Sequence, residues 1–174
     1  PTIEYTGPGT PGADHVVFNS FTNVPNVGDE RQFFHGQVVG TGSYSDPVNA
    51  EIGDEVLVRV YVHNNADSSL NDSGEGVAVN TRVRVELPTI VSNDQQATAF
   101  ISADNAQPQE IFDTINIVSD QAYRLDYIQG SANIRTNYID QALSDDLVDG
   151  GVQIGHDNLN GTQNGCFEYA AYVT

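Results

Sequence analysis

Two runs of alternating apolar and polar residues occupy the middle of the chain, and each predicts a β-strand. In residues 55–63, valine fills every second position from Val56 to Val62, with charged, aromatic and leucine side chains between them. In residues 77–87 the apolar positions on one face are Val77, Val79, Val83, Val85 and Leu87. Successive side chains of a strand point to opposite faces of its sheet. We therefore expect both valine faces to be buried and both polar faces to be exposed.

The two runs are joined by a polar loop, and we interpret them as antiparallel neighbours in one sheet. In that arrangement Glu55 and Arg59 of the first strand approach the polar face of the second. The polar residues of that face are Arg82, Arg84 and Glu86. Cross-strand ion pairs of this kind contribute roughly 0.2–1 kcal/mol each.

Shorter strand patterns follow one another along the rest of the chain, separated by turn residues about every ten residues. They predict strands at 15–21, 31–39, 96–103, 110–118, 122–128, 132–137, 152–154 and 166–173, with a turn at 119–120. Residues 138–148 instead predict one or two helical turns, because Ile139, Leu143 and Leu147 are four residues apart. Such regular turn spacing is typical of a β-sandwich. The sequence therefore predicts an all-β fold, with one antiparallel sandwich over residues 13–174 and an N-terminal extension over residues 1–12.

The N-terminal extension combines a short strand pattern with a stiff spacer. The alternating residues are Thr2, Ile3, Glu4, Tyr5 and Thr6, and residues 7–12 contain only Gly, Pro and Thr. A spacer of this composition forms neither a helix nor a central strand. We expect residues 1–6, or the longer segment through Phe21, to dock on the sheet of a neighbouring copy, building a head-to-tail chain that does not close. The alternative is that the segment packs on its own domain or is only a linker.

Acidic residues outnumber basic ones by 24 to six, which gives a formal net charge of −18, and all six basic residues are Arg. Such a chain repels nucleic-acid backbones and anionic membranes. No apolar run approaches the roughly 18 residues of a membrane span. We therefore expect neither a nucleic-acid partner nor a membrane span, and we interpret the charge as adaptation to salt or to an extracellular setting.

Some of the carboxylates are alternatively interpreted as calcium ligands, because calcium binds six to eight oxygen atoms. The first candidate loop contains Asp67, Asn71, Asp72 and Glu75. A second set comprises Asp145, Asp146, Asp149, Asp157, Asn158 and Asn160. Neither has the spacing of an EF-hand loop, and Asp and Asn are also common in solvated turns. No other cofactor is expected.

The sequence contains no pattern typical of an enzyme. The four histidines, at positions 15, 35, 63 and 156, lack the spacing of zinc ligands, and no phosphate-binding loop or Gly-x-Ser-x-Gly motif is present. Cys166 is the only cysteine, so it cannot form an intrachain disulfide, and we interpret it as a small buried apolar residue. The sequons at Asn71 and Asn160 predict glycosylation sites if the source modifies its surface proteins.

Several motifs around the two central runs resemble those of one domain family. Residues 53–55 (Gly-Asp-Glu) open the first run and residues 64–66 (Asn-Asn-Ala) close it. Residues 76–83 open the second run with Gly-Val-Ala-Val-Asn-Thr-Arg-Val, and Leu87 and Pro88 close it. This order resembles the conserved-repeat, immunoglobulin-like domain of prokaryotic surface proteins. The resemblance implies an extracellular, immunoglobulin-like β-sandwich of the kind found in stalks, adhesins and filaments, and it implies no reaction.

The chain begins at Pro1 and contains no Met, so we expect a processed mature protein or a piece of a longer one. The resemblance, the acidic composition and the N-terminal segment together predict a structural subunit of an extracellular filament or cell-surface appendage, with copies of itself as partners. The alternative is a carbohydrate-binding or adhesive module. Its candidate platform residues are Tyr61, Tyr123, Tyr127, Tyr138, Tyr169 and Tyr172. The lack of Trp argues against that alternative, because sugar platforms rely on large rings.

Overall fold

The computed structural model describes residues 1–155 and 170–174, and in this part of the chain it contains β-strands and two short 3-10 helices but no α-helix. The prediction of an all-β fold is therefore confirmed. The strands are β1 (Ile3–Glu4), β2 (Phe21–Thr22), β3 (Phe34–Val38), β4 (Val48–Asn49), β5 (Val56–His63), β6 (Arg82–Glu86), β7 (Ser92–Ser102), β8 (Glu110–Tyr123), β9 (Asn133–Arg135), β10 (Asp140–Ala142), β11 (Val152–Gln153) and β12 (Ala170–Val173). The 3-10 helices are Ser68–Leu70 and Asp145–Val148.

Most of the strands belong to two five-stranded sheets. The first sheet has the order β10-β9-β12-β5-β3, and every neighbouring pair is antiparallel. The second sheet has the order β11-β6-β7-β8-β4 and is antiparallel except between β8 and β4. The remaining strands, β1 and β2, form a separate parallel pair.

Both five-stranded sheets contribute to one hydrophobic core. Its deeply buried members include Phe34, Val60, Val62, Val83, Ala99, Ile101, Ile115 and Ile134. Gly36 of β3 faces the second sheet so closely that a Cβ there would lie 2.9 Å from Val48 and 3.0 Å from Ile115. The glycine therefore allows β3 of the first sheet to approach β4 and β8 of the second.

The two central strands are not neighbours, so the predicted pairing is wrong. β5 lies between β3 and β12 in the first sheet, whereas β6 lies between β7 and β11 in the second. The polar loop between them crosses from one sheet to the other. As a result Arg84 forms its ion pair with Glu86 on its own strand, and Arg59 stacks on the rings of Tyr44 and Tyr172.

The second central strand begins at Arg82, later than the alternation predicts. Asn80 has a left-handed backbone with a φ of 52°, which interrupts the extended conformation. The alternation shifts at that point, because Ala78 is fully buried and Val79 is 40% exposed. The faces predicted before Asn80 are therefore wrong, whereas the valines of β6 are buried as predicted.

Most of the other predicted strands are present with shifted ends. β8 extends to Tyr123 without a chain reversal, so the turn predicted at 119–120 is wrong, although the pairing with β7 shifts register there, between Val118 and Tyr123. Little of the strand predicted at 122–128 forms. Residues 15–20 are largely buried but irregular, and regular pairing begins only at β2. Residues 138–148 form β10 and the second 3-10 helix. In the last predicted strand, residues 166–169 lie outside the described residues and the remainder is β12.

The strand directions define two ends of the molecule. β5 ends at His63, whose carbonyl oxygen accepts the N–H of Asn19 at 2.9 Å. The loop that follows β7 reaches the same region, because the N–H of Gln107 donates to the Val16 carbonyl at 2.9 Å. We call this the N-terminal end. We call the opposite end the far end, and β5 begins there. Because β6 and β8 both run antiparallel to β7, these two strands end there as well.

Candidate functional site

The N-terminal segment predicted as a donated strand does form a strand, and it lies on its own chain. β1 pairs in parallel with β2, in the register Ile3 with Phe21 and Glu4 with Thr22. The N–H of Ile3 donates to the Ser20 carbonyl at 2.8 Å, and that of Tyr5 donates to the Thr22 carbonyl at 2.9 Å. This is the arrangement of the alternative interpretation, in which the segment packs on its own domain. The structure contains a single chain, so exchange between subunits stays a prediction.

Side-chain contacts add little to the pairing of β1. The ring of Tyr5 meets the ring of Phe21 edge-on at a centroid distance of 6.0 Å, and the Arg31 guanidinium donates to the Thr2 hydroxyl at 3.3 Å. Ile3 and Tyr5 are half-buried, whereas the other residues of the segment are exposed. Two half-buried side chains contribute about 1 kcal/mol each and two hydrogen bonds about 1 kcal/mol each. Fixing four residues costs about 1–2 kcal/mol per residue, which is at least as much as these contacts contribute, so the segment is held only marginally.

The spacer after β1 is folded into a tight turn rather than extended. Gly7 and Gly9 have φ values of 136° and 89°, which favour glycine. The N–H of Thr10 donates to the Gly7 carbonyl at 3.0 Å, and its hydroxyl donates to the same oxygen at 2.7 Å. The turn is followed by an anchor, because the N–H of Gly12 donates to the Asp67 carboxylate at 2.9 Å. Residues 7–11 therefore form a hinge between β1 and a fixed point on the body.

A buried carboxylate lies beneath β2. The side chain of Glu30 is fully buried, and its carboxylate accepts hydrogen bonds from His63 Nδ1 at 2.7 Å, Asn65 Nδ2 at 3.0 Å and the Phe21 N–H at 3.3 Å. A buried charged group is stable only when it is paired and hydrogen-bonded in this way. Glu30 therefore joins β2, which carries β1, to the end of β5.

Two further polar side chains complete this buried cluster. The Asn65 Oδ1 accepts the N–H of Ser20 at 2.6 Å and its hydroxyl at 3.1 Å. Asn19 bridges to the last residues of β5, because its Nδ2 donates to the Tyr61 carbonyl at 2.8 Å and its Oδ1 accepts the His63 N–H at 2.7 Å. We define the Glu30 cluster as Asn19, Ser20, Glu30, His63 and Asn65. The sequence analysis did not predict this cluster. Its one signal was the pair Asn64 and Asn65 after β5, which was interpreted as the loop that closes the strand.

A row of rings crosses the outer face of the first sheet beside the Glu30 cluster. The His63 ring lies 5.9 Å from Tyr61, and Tyr61 lies 5.1 Å from its cross-strand partner Tyr172. The Arg59 guanidinium is 4.9 Å from the centre of Tyr172 and 4.0 Å from that of Tyr44. The row is apolar across its middle and cationic at one end.

The tyrosines predicted to form a carbohydrate platform do not all come together. Tyr61 and Tyr172 stack in the row just described. Tyr123 donates its hydroxyl to the Ile117 carbonyl, and Tyr127 donates to the Asp145 carboxylate at 2.8 Å. Burial and the hydrogen bond to Asp145 raise the pKa of Tyr127. Tyr138 projects from a turn, and Tyr169 lies outside the described residues.

The first predicted calcium loop uses its carboxylates for internal hydrogen bonds. Asp67 accepts the hydroxyl of Ser69 at 2.6 Å and its N–H at 3.0 Å, which caps the first 3-10 helix. Hydrogen bonds from the Ser69 side chain, then from the backbone of Ser69 and Gly12, lower the pKa of Asp67. Glu75 accepts the Ser73 hydroxyl at 3.3 Å, Asn71 ends the helix, and Asp72 is exposed.

No group of three or more His, Cys, Asp or Glu within residues 1–155 and 170–174 is arranged to hold a metal ion. In the second predicted set, Asp145 accepts the Gly130 N–H at 2.7 Å, and the members at positions 157, 158 and 160 lie outside the described residues.

The sequon at Asn71 lies at a half-buried helix end, and the one at Asn160 also lies outside the described residues. In the described part of the chain, no helix is long and apolar enough to cross a membrane. Calcium binding and glycosylation stay predictions.

Comparison of the chain with protein-family models, with curated proteins and with solved structures finds no match. The resemblance to the surface domain therefore rests on its motifs, and the structure gives several of them a physical role. Gly53, with a φ of 95°, allows the turn before β5, and Asn80 provides the left-handed residue before β6. Asn65 belongs to the Glu30 cluster.

Proposed function

We propose that this chain is a structural subunit of an extracellular prokaryotic filament or surface appendage, built on an immunoglobulin-like β-sandwich and joined head to tail by its N-terminal strand. The observation that carries the proposal is the position of β1. This strand belongs to neither five-stranded sheet, pairs with two residues of β2 and is followed by a glycine hinge. It can therefore leave its own chain without opening either sheet of the body.

Two features of the body support a structural role under tension. Two five-stranded sheets share one hydrophobic core, which supports the proposed sandwich arrangement. The Glu30 cluster then connects the irregular segment between β1 and β3 to the end of β5. A pull on the N-terminal region is thereby transmitted to a central strand of the first sheet.

The charge of the chain supports a location outside the cell. A formal charge of −18 keeps separate copies apart unless salt screens them, and the lack of Lys leaves Arg as the only strong cation. Assembly through a short apolar strand fits such a surface, because the contact does not depend on attraction between charged faces. Calcium is not required by the proposal.

The test is to impair β1 while leaving the body intact. The variant Ile3→Ser with Tyr5→Ser removes the two half-buried side chains of the strand, and the matched control Thr2→Ser with Thr6→Ser changes exposed positions of the same segment. We expect the first variant to remain a folded monomer by circular dichroism and sedimentation, and the control to form filaments visible by negative-stain microscopy. Filaments of normal length from the Ile3 and Tyr5 variant would disprove the proposal.

A carbohydrate-binding or adhesive module is the second candidate, favoured by the ring row of Tyr61, Tyr172 and Arg59 on the outer face of the first sheet. Aromatic faces with a neighbouring polar group suit stacking against a sugar ring. Glycan-array binding by monomeric protein, abolished by Tyr172→Ala, would favour this candidate over the filament subunit.

A further inference from the structure

Exposed apolar side chains are concentrated at the far end of the molecule. Among the described residues nine large apolar side chains are exposed, and five of them are at this end. They are Val39, Ile52, Ile90, Val91 and Ile128, which are 54–67% exposed. The topology explains their positions: Val39 follows β3, Ile52 precedes β5, Ile90 and Val91 follow β6, and Ile128 follows β8. Exposed apolar groups gathered in one region are typical of an interaction surface.

A shallow pocket of about 310 Å³ opens at the same end. Its apolar lining comes from Leu87, Pro88, Leu125 and Val148, and Arg124 and Asp126 lie at its edge. The Arg124 side chain is 61% exposed and pairs with Asp126 at 2.6 Å. The pocket therefore combines an apolar lining with one Arg–Asp ion pair.

The loop between β6 and β7 carries Ile90 and Val91, and a buried side chain holds its backbone in place. The buried Gln95 donates its side-chain N–H groups to the carbonyl of Ile90 at 2.9 Å and to that of Tyr123 at 2.6 Å. Two apolar side chains are thus presented to solvent on a loop whose backbone is held in place. A preformed surface of this kind loses less entropy on binding than a mobile one.

If copies are to form an open chain, β1 of one copy must bind a surface of the next copy that lies away from β2. β1 and β2 both lie at the N-terminal end, so a strand that enters the β2 position of a second copy brings two like ends together. Such reciprocal exchange favours a closed two-fold dimer. A head-to-tail chain instead needs the donated strand at one end and its receiver at the other.

We propose that the far end of one copy, comprising the pocket and the rim of Ile90, Val91 and Ile128, receives residues 2–5 of a second copy. The chemistry of the two partners matches, because Ile3 and Tyr5, which share one face of the strand, would meet the apolar pocket and rim. Glu4 lies on the other face of the strand, where the Arg124 guanidinium, with its five N–H donors, can bind it in addition to Asp126. Released from its turn, the six-residue spacer spans up to about 20 Å, enough to carry the strand beyond its own body. This inference rests on the proposed filament function and names its second surface.

Disulfide trapping in the full-length chain tests the inference, in a background where Cys166→Ser removes the native thiol. Glu4→Cys is combined in separate proteins with Val91→Cys or with Ile128→Cys, both at exposed rim positions. On oxidation we expect a ladder of reducible oligomers from both pairs. The matched control combines Glu4→Cys with Phe112→Cys, which is as exposed as Val91 but lies on the outer face of the second sheet, and it is expected to stay monomeric.

A fourth protein separates this inference from the filament proposal. Glu4→Cys with Thr22→Cys places both thiols at paired positions of β1 and β2, and we expect it to close within one chain. If that protein instead cross-links between chains while the rim pairs stay monomeric, β1 is exchanged but the far end is not its receiver. Ladders of equal length from the Phe112 pair would also overturn the inference. If no pair cross-links between chains, both the inference and the filament proposal are wrong.

Discussion

At the residue scale, Glu30 is the group on which the N-terminal region depends most. Its carboxylate is fully buried and holds three hydrogen-bond donors, one of them the backbone N–H of β2 at Phe21. Removal of this carboxylate takes one hydrogen-bond acceptor away from each of His63 Nδ1, the Asn65 amide and the Phe21 N–H. The cost of such a change is the desolvation of the groups left behind.

We predict that Glu30→Ala lowers the free energy of unfolding by about 3–5 kcal/mol, because three donors lose a buried acceptor and each such loss costs about 1–3 kcal/mol. Glu30→Gln keeps the shape and should cost less, because its amide still accepts one hydrogen bond. Urea denaturation followed by circular dichroism measures both. The control Glu55→Ala, at an exposed position, should change stability by no more than about 0.5 kcal/mol. A Glu30→Ala variant as stable as that control would contradict the role assigned to the carboxylate.

The Glu30 cluster also shows what a single sequence conceals at this scale. Glu30 lies 33 residues from His63 and 35 from Asn65, and it occupies a stretch of Gly, Asp and Glu that is typical of an exposed turn. Alternation predicts which side of a strand is buried, but it contains no information about which distant polar groups meet. The outward position of Arg59, by contrast, follows directly from the period of two.

At the element scale, the attachment of the spacer to the body depends on Gly12. A Cβ at Gly12 would lie 2.5 Å from the Asp67 nitrogen and 2.6 Å from the Asn65 carbonyl oxygen. Those atoms are backbone, so they cannot move aside as a flexible side chain can. The close approach lets the Gly12 N–H reach the Asp67 carboxylate and so fixes the body side of the hinge.

We predict that Gly12→Ala destabilises the protein by about 1–3 kcal/mol, the range for forcing extra atoms into a packed site. Gly150→Ala is the matched control, because a Cβ at Gly150 would meet no atom within 4 Å. Urea denaturation gives the stability of each variant, and limited proteolysis shows whether residues 1–12 become cleavable. Equal stability and equal cleavage of the two variants would contradict the anchoring role of Gly12.

The elements themselves were largely predictable, but their partners were not. The alternation located β5, β7 and most of β8 because buried residues occupy every second position in the best-packed part of each strand. It failed to place β5 and β6 in different sheets, because adjacent strands with a polar loop look the same whether that loop makes a hairpin or a crossover. The left-handed Asn80 likewise shortened β6 in a way that apolar periodicity does not record.

At the scale of the whole molecule, the assembly proposed here must overcome the repulsion between copies that each carry a formal charge of −18. The donated strand adds only a short apolar contact to oppose it. Repulsion between exposed charges extends about 30 Å at 0.01 M salt but only about 10 Å at 0.1 M. Added salt therefore weakens the repulsion between approaching ends and leaves the apolar contact unharmed.

We predict that filaments shorten or dissociate at low ionic strength and lengthen as sodium chloride is raised from about 0.01 M to 0.5 M, because the Debye length falls over that range. Sedimentation velocity and negative-stain microscopy measure the length distribution, and circular dichroism checks that the monomer stays folded. A neutral osmolyte at equal osmolality is the control and should have little effect. Assembly that weakens with salt would mean that attraction between opposite charges, rather than the apolar strand, joins the subunits.

Calcium chloride at matched ionic strength should act as sodium chloride does, and a much larger effect of calcium would instead favour the carboxylate loops as binding sites.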